Sequence, residues 1–360
     1  AVSVTVYFGR RKGSSTTADL DPASIGQTVE HACAIARHTE PDPANGLADP
    51  ALLATTIPDL DLWHPWDLTP AQAIALGVEI EAAGRAQDVR ISNSDGASVQ
   101  SGGSMTAYAN SDGFIGCERA THHSVSVALI AEDDAGMQRD YWYDSVRRAA
   151  DFASPSSIGI KAAQRTLARL GAQRLSTRQC PVLFAPEAAR SLLGHFLSAA
   201  SGGALYRKSS FLQDSLHTRA MSEHLDLHED PHLPKGKGSA PFDDEGVVTR
   251  ARDVVRGGVV QGYFLSSYSA RKLGLRTTGH AGGSQNLVWT SRLTQPGDDL
   301  DAMLRKLHRG LFVIELMGQG VNYVTGDYSR GAAGFWVEGG RIVHPVHEVT
   351  IAGNLKQMLQ

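Results

Sequence analysis

From Ala1 to Gly9, "AVSVTVYFG", apolar and polar residues alternate with a period of two, and a Ser/Thr-rich return, "KGSSTTADL", follows. The pair predicts a strand and its return. Asp21-Pro22 then supplies an N-cap and a proline at the first helical position. Ile25, Thr28, Val29, Ala32, Ile35 and Ala36 recur at helical spacing, so a helix is predicted to about His38. "TEPDPANGLADP" and "TTIPDLDLWHPWDLTP" are punctuated by proline and predict a linker or extended arm, after which Thr69-Pro70 opens a second helix through Ile74, Val78 and Glu81. From Val89 the period returns to two as far as Val146, broken at Ser94-Asp95-Gly96, Ser111-Asp112-Gly113 and Asp133 to Gly136. Asp-Gly is a strong hairpin signal, so these breaks predict an antiparallel meander of four or five strands. Ser154-Pro155 begins a third helix, "IGIKAAQRTLARLG", closed by Gly171 at C′.

Helix, meander and helix over 67–172 make an α+β domain. Residues 1–60 read as the remainder of an N-terminal strand–helix domain with its linker, and 178–360 as a glycine-rich, β-rich C-terminal domain. That last part opens on "CPVLFAPEAARSLLGHFLSAASGG", a short strand and a helix running from Pro186 to Gly202-Gly203. It also carries an amphipathic helix in "DDLDAMLRKLHRG". At 360 residues the chain is long enough for two or three domains. No stretch approaches the roughly 20 apolar residues of a membrane span. A net charge of −4, with 34 Lys and Arg scattered along the chain, points away from nucleic acid. Cys33, Cys117 and Cys180 are odd in number and far apart, which argues for a reducing compartment and against disulfides or a Cys-only zinc site. With no signal-peptide pattern at Ala1, the expectation is a soluble cytoplasmic protein.

The stretch "VTGDYSRGAAGFWVEGG", 324–340, looks least like scaffold. It sets Asp327, Tyr328, Ser329 and Arg330 between glycines, on what reads as a glycine-hinged loop braced from behind by Phe335-Trp336. A catalytic centre, a peptide-binding ledge, or a buried loop with Arg330 paired to Asp327 would each read this way. "SARK", 269–272, fits an S-x-x-K nucleophile pattern and "TTG", 277–279, mimics K-T-G. These lie too close together, in a run that reads as β, for a penicillin-recognising site. "GDYSRG" misses G-x-S-x-G by one position, and no phosphate-binding or complete dinucleotide loop is present. His224, His228 and His232 recur every four residues, but Pro231 and Pro234 break any helix there, so they read as an acidic strand and loop. His122 and His123 point to opposite faces of the meander. His195 stands alone on its helix, without HExxH or HExxxH. His280, in "TTGHAGG", is flanked by glycines as an exposed functional imidazole would be.

Taken together, "YRKSSFL", "PFDDEGV", "SYSARKLGLRTTGHAGG", "ELMGQGVNYVTGDYSRGAAGFWVE" and "PVHEVTIAGNL" are long strings of rare composition. They resemble the PmbA/TldE branch of the TldD/PmbA family, once called modulators of DNA gyrase. The resemblance extends from "VTVYFGRRKGSS" and "DLDLWHP" to the last residues. It implies a two-subunit cytoplasmic zinc metallopeptidase acting on unfolded or extended peptides such as antibiotic precursors and antitoxins. In the TldD-like sister, a helix carries HExxxH with its glutamate as general base, and a C-terminal cysteine completes the zinc site. The PmbA/TldE branch lacks that motif, and here the corresponding place holds Pro186-Glu187 and the solitary His195. One helical histidine does not make a catalytic zinc site.

The expectation is therefore a non-catalytic partner subunit with no metal of its own and zinc in the sister. It would form a heterodimer, or a homodimer when alone. Asp327, Tyr328, Ser329, Arg330 and His280 are the candidate substrate-binding residues, and an extended peptide would be held as an added strand. Two other readings stand beside it. One is an autonomous hydrolase using Ser329 or a metal centred on His280; the other is a homodimeric protein that sequesters peptides.

Overall fold

Residues 1–360 are all described by the computed structural model. Strands β1 (Val2–Phe8) and β2 (Arg11–Thr17) form an antiparallel hairpin. Helix α1 (Pro22–His38) lies on it with Ala32 and Ala36 fully buried. Asp21 caps α1 by accepting the Ala23 N–H, as the Asp-Pro pair predicts.

The middle of the chain is a three-stranded sheet in the order β3-β4-β5, covered by two helices. The elements are α2 (Pro70–Arg85), β3 (Asn93–Ala109), β4 (Ile115–Asp133), β5 (Gly136–Val146) and α3 (Pro155–Ala168). Val125, Val127, Leu129 and Ala131 alternate inward from β4 and meet Ile80, Ile158 and Ala162 from the helices. The helices cross so closely that a Cβ on Gly159 would lie 2.1 Å from the carbonyl of Ile80. The sheet has three strands, not four or five. Hairpins do fall at Asn110–Gly113 and Asp133–Gly136, but Ser94-Asp95-Gly96 is a bulge inside β3, where the pairing with β4 shifts by one residue.

The remaining elements are β6 (Val182–Phe184), α4 (Pro186–Ala199), α5 (Gly202–Tyr206), β7 (Leu225–Asp230), β8 (Arg252–Arg256), β9 (Val259–Val260), α6 (Ser267–Leu273), β10 (Asn286–Ser291), α7 (Leu300–Leu307), β11 (Gly310–Met317), β12 (Asp327–Glu338), β13 (Arg341–Asn354) and α8 (Leu355–Met358). They build two four-stranded sheets. One is antiparallel with order β10-β7-β8-β9; in the other, β13-β12-β11-β6, only β6 runs parallel to its neighbour. The largest core lies between the two. It takes Leu192 and Phe196 from α4, Leu227, Val254 and Val255 from the first sheet, and Tyr328 from β12 of the second. Gly202-Gly203 opens α5 rather than ending α4. No helix is long and apolar enough to cross a membrane.

The segment expected as a glycine-hinged loop is the interior strand β12, paired on both sides. Phe335 and Trp336 do not brace it together from behind. Phe335 stacks on Phe312 at 6.1 Å in one cluster, while Trp336 packs with Leu311, Ala332 and Val346 in another. Beside Gly334 the partner strand β11 bulges at Ile314, and a Cβ on Gly334 would lie 1.9 Å from the Phe312 carbonyl.

Candidate functional site

The central and C-terminal units face each other across a cleft of about 250 Å³. Its walls are Asp140 to Tyr143 of β5, Arg165 of α3, Glu187 and Ser191 of α4, Glu315 of β11 and Arg330 of β12. Charge organises it. Arg169, just past α3, reaches the Glu315 carboxylate at 2.6 Å and the buried Asp140 at 3.6 Å, tying the two units together. Arg165 lies 3.4 Å from Asp140 and stacks on Trp142. Arg190 of α4 donates to the Tyr143 hydroxyl from across the cleft. A wider groove of about 1170 Å³ runs beside β1, the end of β3 and Arg271. There the guanidinium of Arg271 is engaged by the carbonyls of Ala44 and Gly46, and Glu245 by the N–H of Ser267.

Strand alternation divides the four flagged residues of β12. Asp327 and Ser329 face outward, whereas Tyr328 and Arg330 point inward at α4, Tyr328 being 2% exposed and Arg330 9%. Asp327 is not paired with Arg330. Its carboxylate accepts from the Thr325 hydroxyl and the Asn354 amide, which hold it below the usual carboxylate range. Arg330 donates to the carbonyls of Gly318 at 2.9 Å and Leu316 at 3.3 Å.

Against Arg330 and Tyr328 lies His195, 6% exposed. Its ring stands edge-on to Tyr328 at 5.8 Å, and its Nδ1 is 3.0 Å from the hydroxyl of Tyr323, in the β11–β12 connection. Burial lowers the His195 pKa, and the neighbouring Arg330 charge lowers it further. Burial raises that of Tyr328, with Arg330 opposing. His195 Nε2 has no hydrogen-bond partner, and the Tyr328 hydroxyl has none beyond the neighbouring Arg330 guanidinium.

His280 lies elsewhere and is buried, not presented to solvent. Its Nε2 donates to the fully buried Glu229 at 2.9 Å, and Glu229 also accepts from Arg252 at 2.9 Å and from the Gln285 N–H at 2.8 Å. This network pins the 277–285 loop onto β7 and β8. The structure therefore brings Tyr328 and Arg330 together with His195 but leaves His280 outside the cleft. Ser269 does sit in a helix, α6, contrary to the β reading of "SARK". It forms a capping box with Ser266, while Lys272 pairs with Asp42 at 2.7 Å. His224, His228 and His232 turn to separate partners, Ser291, Asp253 and Thr249.

Zinc in a hydrolytic site needs three protein ligands and an open position. No three His, Cys, Asp or Glu side chains stand together in the chain in a way that could hold a metal ion. The single imidazole of α4 has a guanidinium beside it. The donor set does not fit zinc.

Sequence reasoning did not single out Asp140, Arg165, Arg169 or Glu315. They come from β5, from α3 and the residue just past it, and from β11, with no fixed spacing, and only their charge set them apart from their neighbours.

Residues 63–170 match the PmbA/TldA metallopeptidase central domain, and residues 177–360 match the C-terminal domain of the same family. The chain is 49% identical over 358 residues to the metalloprotease PmbA of Escherichia coli O157:H7, an alignment spanning 99% of this chain and 79% of that protein. Among solved structures, a candidate modulator of DNA gyrase from Bacteroides thetaiotaomicron superposes with a TM-score of 0.91 at 30% identity, covering 99% of this chain and 81% of that one. TldE from Thermococcus kodakarensis gives a TM-score of 0.82 at 20% identity, covering 98% and 80%, a likeness of fold.

Proposed function

This chain belongs to the PmbA/TldD metallopeptidase family, and from that premise we propose that it is the subunit of a two-chain peptidase that carries no metal itself. The observation that carries this reading is the α4 site, where a single histidine is held between two tyrosines beside an arginine. A neutral imidazole next to a fixed positive charge is a poor place for a divalent cation. The zinc and the general base then belong to a sister chain bearing HExxxH, and this chain shapes and lines the substrate cavity. The substrates are unfolded or extended peptides, antibiotic precursors and antitoxins among them. β5 lies at the edge of its sheet and presents Asp140 to Tyr143 to the cleft, so an extended chain can pair with it through main-chain hydrogen bonds. Arg330 is the flagged residue that reaches this cleft.

An autonomous serine hydrolase finds no support at either serine. Ser329 faces away from His195, and Ser269 is engaged in its capping box. Purification of the chain alone, and together with an HExxxH sister, tests the reading. Elemental analysis should find far less than one zinc per chain in the first sample. An unstructured reporter peptide should be cleaved only by the second. A stoichiometric zinc in the lone chain that survives chelation, with cleavage to match, overturns it.

A further inference from the structure

Strand β3 has a neighbour on one side only, β4, so its other edge is free. No backbone hydrogen bond of Ala97–Ala109 runs anywhere but to β4. Every residue from Gln100 to Ala107 is exposed, whichever face of the sheet it points to, and Met105 is 66% exposed. Soluble proteins guard such an edge with charges or prolines, because its unpaired groups are a template for another strand. The edge strand β2 carries Arg11 and Lys12, and β13 carries Pro345 and Glu348. β3 has no such guard. Its run "GASVQSGGSMTAYA", Gly96–Ala109, holds neither a charge nor a proline, in a chain of which 20% is charged. The bulge at Ser94–Gly96 lies at the start of this run and leaves the rest straight.

We propose that this edge is a homodimer interface, in which β3 pairs antiparallel with β3 of a second copy about a two-fold axis. The two sheets then become one, in the order β5-β4-β3-β3-β4-β5, and the free edges of β5 stay at its two ends. Opposed residues in a sheet point to the same face, so such an axis sets one residue against its own copy. With the axis at Gly102 or Gly103, near the middle of the exposed run, no cross-strand pair within Gly96–Ala109 includes a charge. Self-pairing therefore brings no like charges together, as it would on an edge with a Lys or Glu near the axis. Ser101, Gly102, Gly103 and Ser104 are small enough to let two main chains approach closely there. Two copies of this strand make on the order of ten main-chain hydrogen bonds, as many as a typical stable interface carries. An unlike partner would be selected by charges along the edge, and this edge has none. The inference depends neither on the peptide cleft nor on a sister subunit.

The test uses the whole chain. Sedimentation velocity at about 100 μM should give twice the chain mass of 38.4 kDa. As the concentration is raised through the dissociation range, hydrogen–deuterium exchange should slow in Gly96–Ala109 and not along the other edges. Gln100→Lys with Thr106→Lys sets ammonium groups of the two copies against each other and should raise the dimer Kd at least about ten-fold. Both side chains are exposed, so the Tm of the dilute monomer should hardly move. The same charges on another exposed apolar surface, Ile74→Lys with Val78→Lys on α2, should leave the dimer intact. A wild-type monomer at about 100 μM overturns the interface. So does a dimer that survives the β3 variant, and so does protection of Gly96–Ala109 in the monomer, which would mean that the chain covers its own edge.

Discussion

The carboxylate of Glu229 is completely buried between Arg252 and His280. Burial alone would push its pKa up. The hydrogen bond from His280, the electrostatic pull of that ring and of Arg252, and the Gln285 N–H together outweigh burial and hold the group below the ordinary glutamate value of 4.5. A lowered folded pKa contributes stability at pH values above 4.5, and that contribution is lost as pH falls through the folded value. Glu229→Gln should cost about 3–5 kcal/mol at pH 7, because it leaves Arg252 buried without its counter-charge. Urea denaturation should show the gap between variant and wild type narrowing below pH 4.5; a gap constant down to pH 3 would contradict the assignment. Asp243, which anchors the same loop through the Ala281 N–H, works in the opposite direction. Burial raises its pKa to about 6 against three backbone N–H groups. Its contribution is full below 3.8 and is lost as pH rises through about 6. Neither carboxylate was legible in the sequence, since Glu229 meets His280 across 51 residues and Asp243 meets Ala281 across 38.

Local signals did announce the helices. Asp21-Pro22, Thr69-Pro70 and Ser154-Pro155 open α1, α2 and α3, because an N-cap side chain and a proline act within one turn of chain. Strand β12 failed the same treatment for a physical reason. Gly331 and Gly334 inside "DYSRGAAGFWVE" read as hinges, yet pairing with β11 and β13 makes it a strand, and that pairing is tertiary. The four flagged side chains were therefore legible as a group, but their division into outward Asp327 and Ser329 and inward Tyr328 and Arg330 was not. Once the segment is a strand, its period of two gives that division at once. The two glycines also differ in kind. A Cβ at Gly331 would meet Met317 at 3.4 Å, an ordinary contact, whereas one at Gly334 would enter the Phe312 backbone. Gly334→Ala should cost more than about 4 kcal/mol or prevent soluble expression, while Gly331→Ala should stay within about 1 kcal/mol. Thermal melts of the two variants make the comparison, and equal melting points would show that the bulge yields more readily than its geometry implies.

Between the two units that wall the cleft, residues 171–181 carry no helix or strand, only a single bridge from Gln173 to Val346. Their mutual placement depends on side chains that cross. Arg147 donates to the Lys237 carbonyl at 2.7 Å, Arg190 to the Tyr143 hydroxyl, and Arg169 to Glu315 while it balances Asp140. Of these, only Arg169 joins carboxylates from both units, and at 13% exposure its side chain is shielded from the screening that weakens surface pairs. Arg169→Met keeps the length of the side chain and removes the charge. It leaves the buried Asp140 with Arg165, at 3.4 Å, as its one remaining counter-charge, beside the Tyr141 N–H, at a cost of about 1–3 kcal/mol. If the cleft couples the units, the loss should go beyond this local cost. The calorimetric transition should broaden or split as the central unit melts apart from the C-terminal one, and limited proteolysis should cut within 171–181 faster than in the wild type. Peptide affinity should fall as well, although Arg169 itself does not line the cleft, because the two walls no longer hold a fixed separation. A single sharp transition lowered by no more than the local cost, with unchanged peptide affinity, would mean that the main chain and the remaining crossing contacts, the Lys235–Asp151 pair and the Phe114–Phe242 packing among them, set the cleft by themselves.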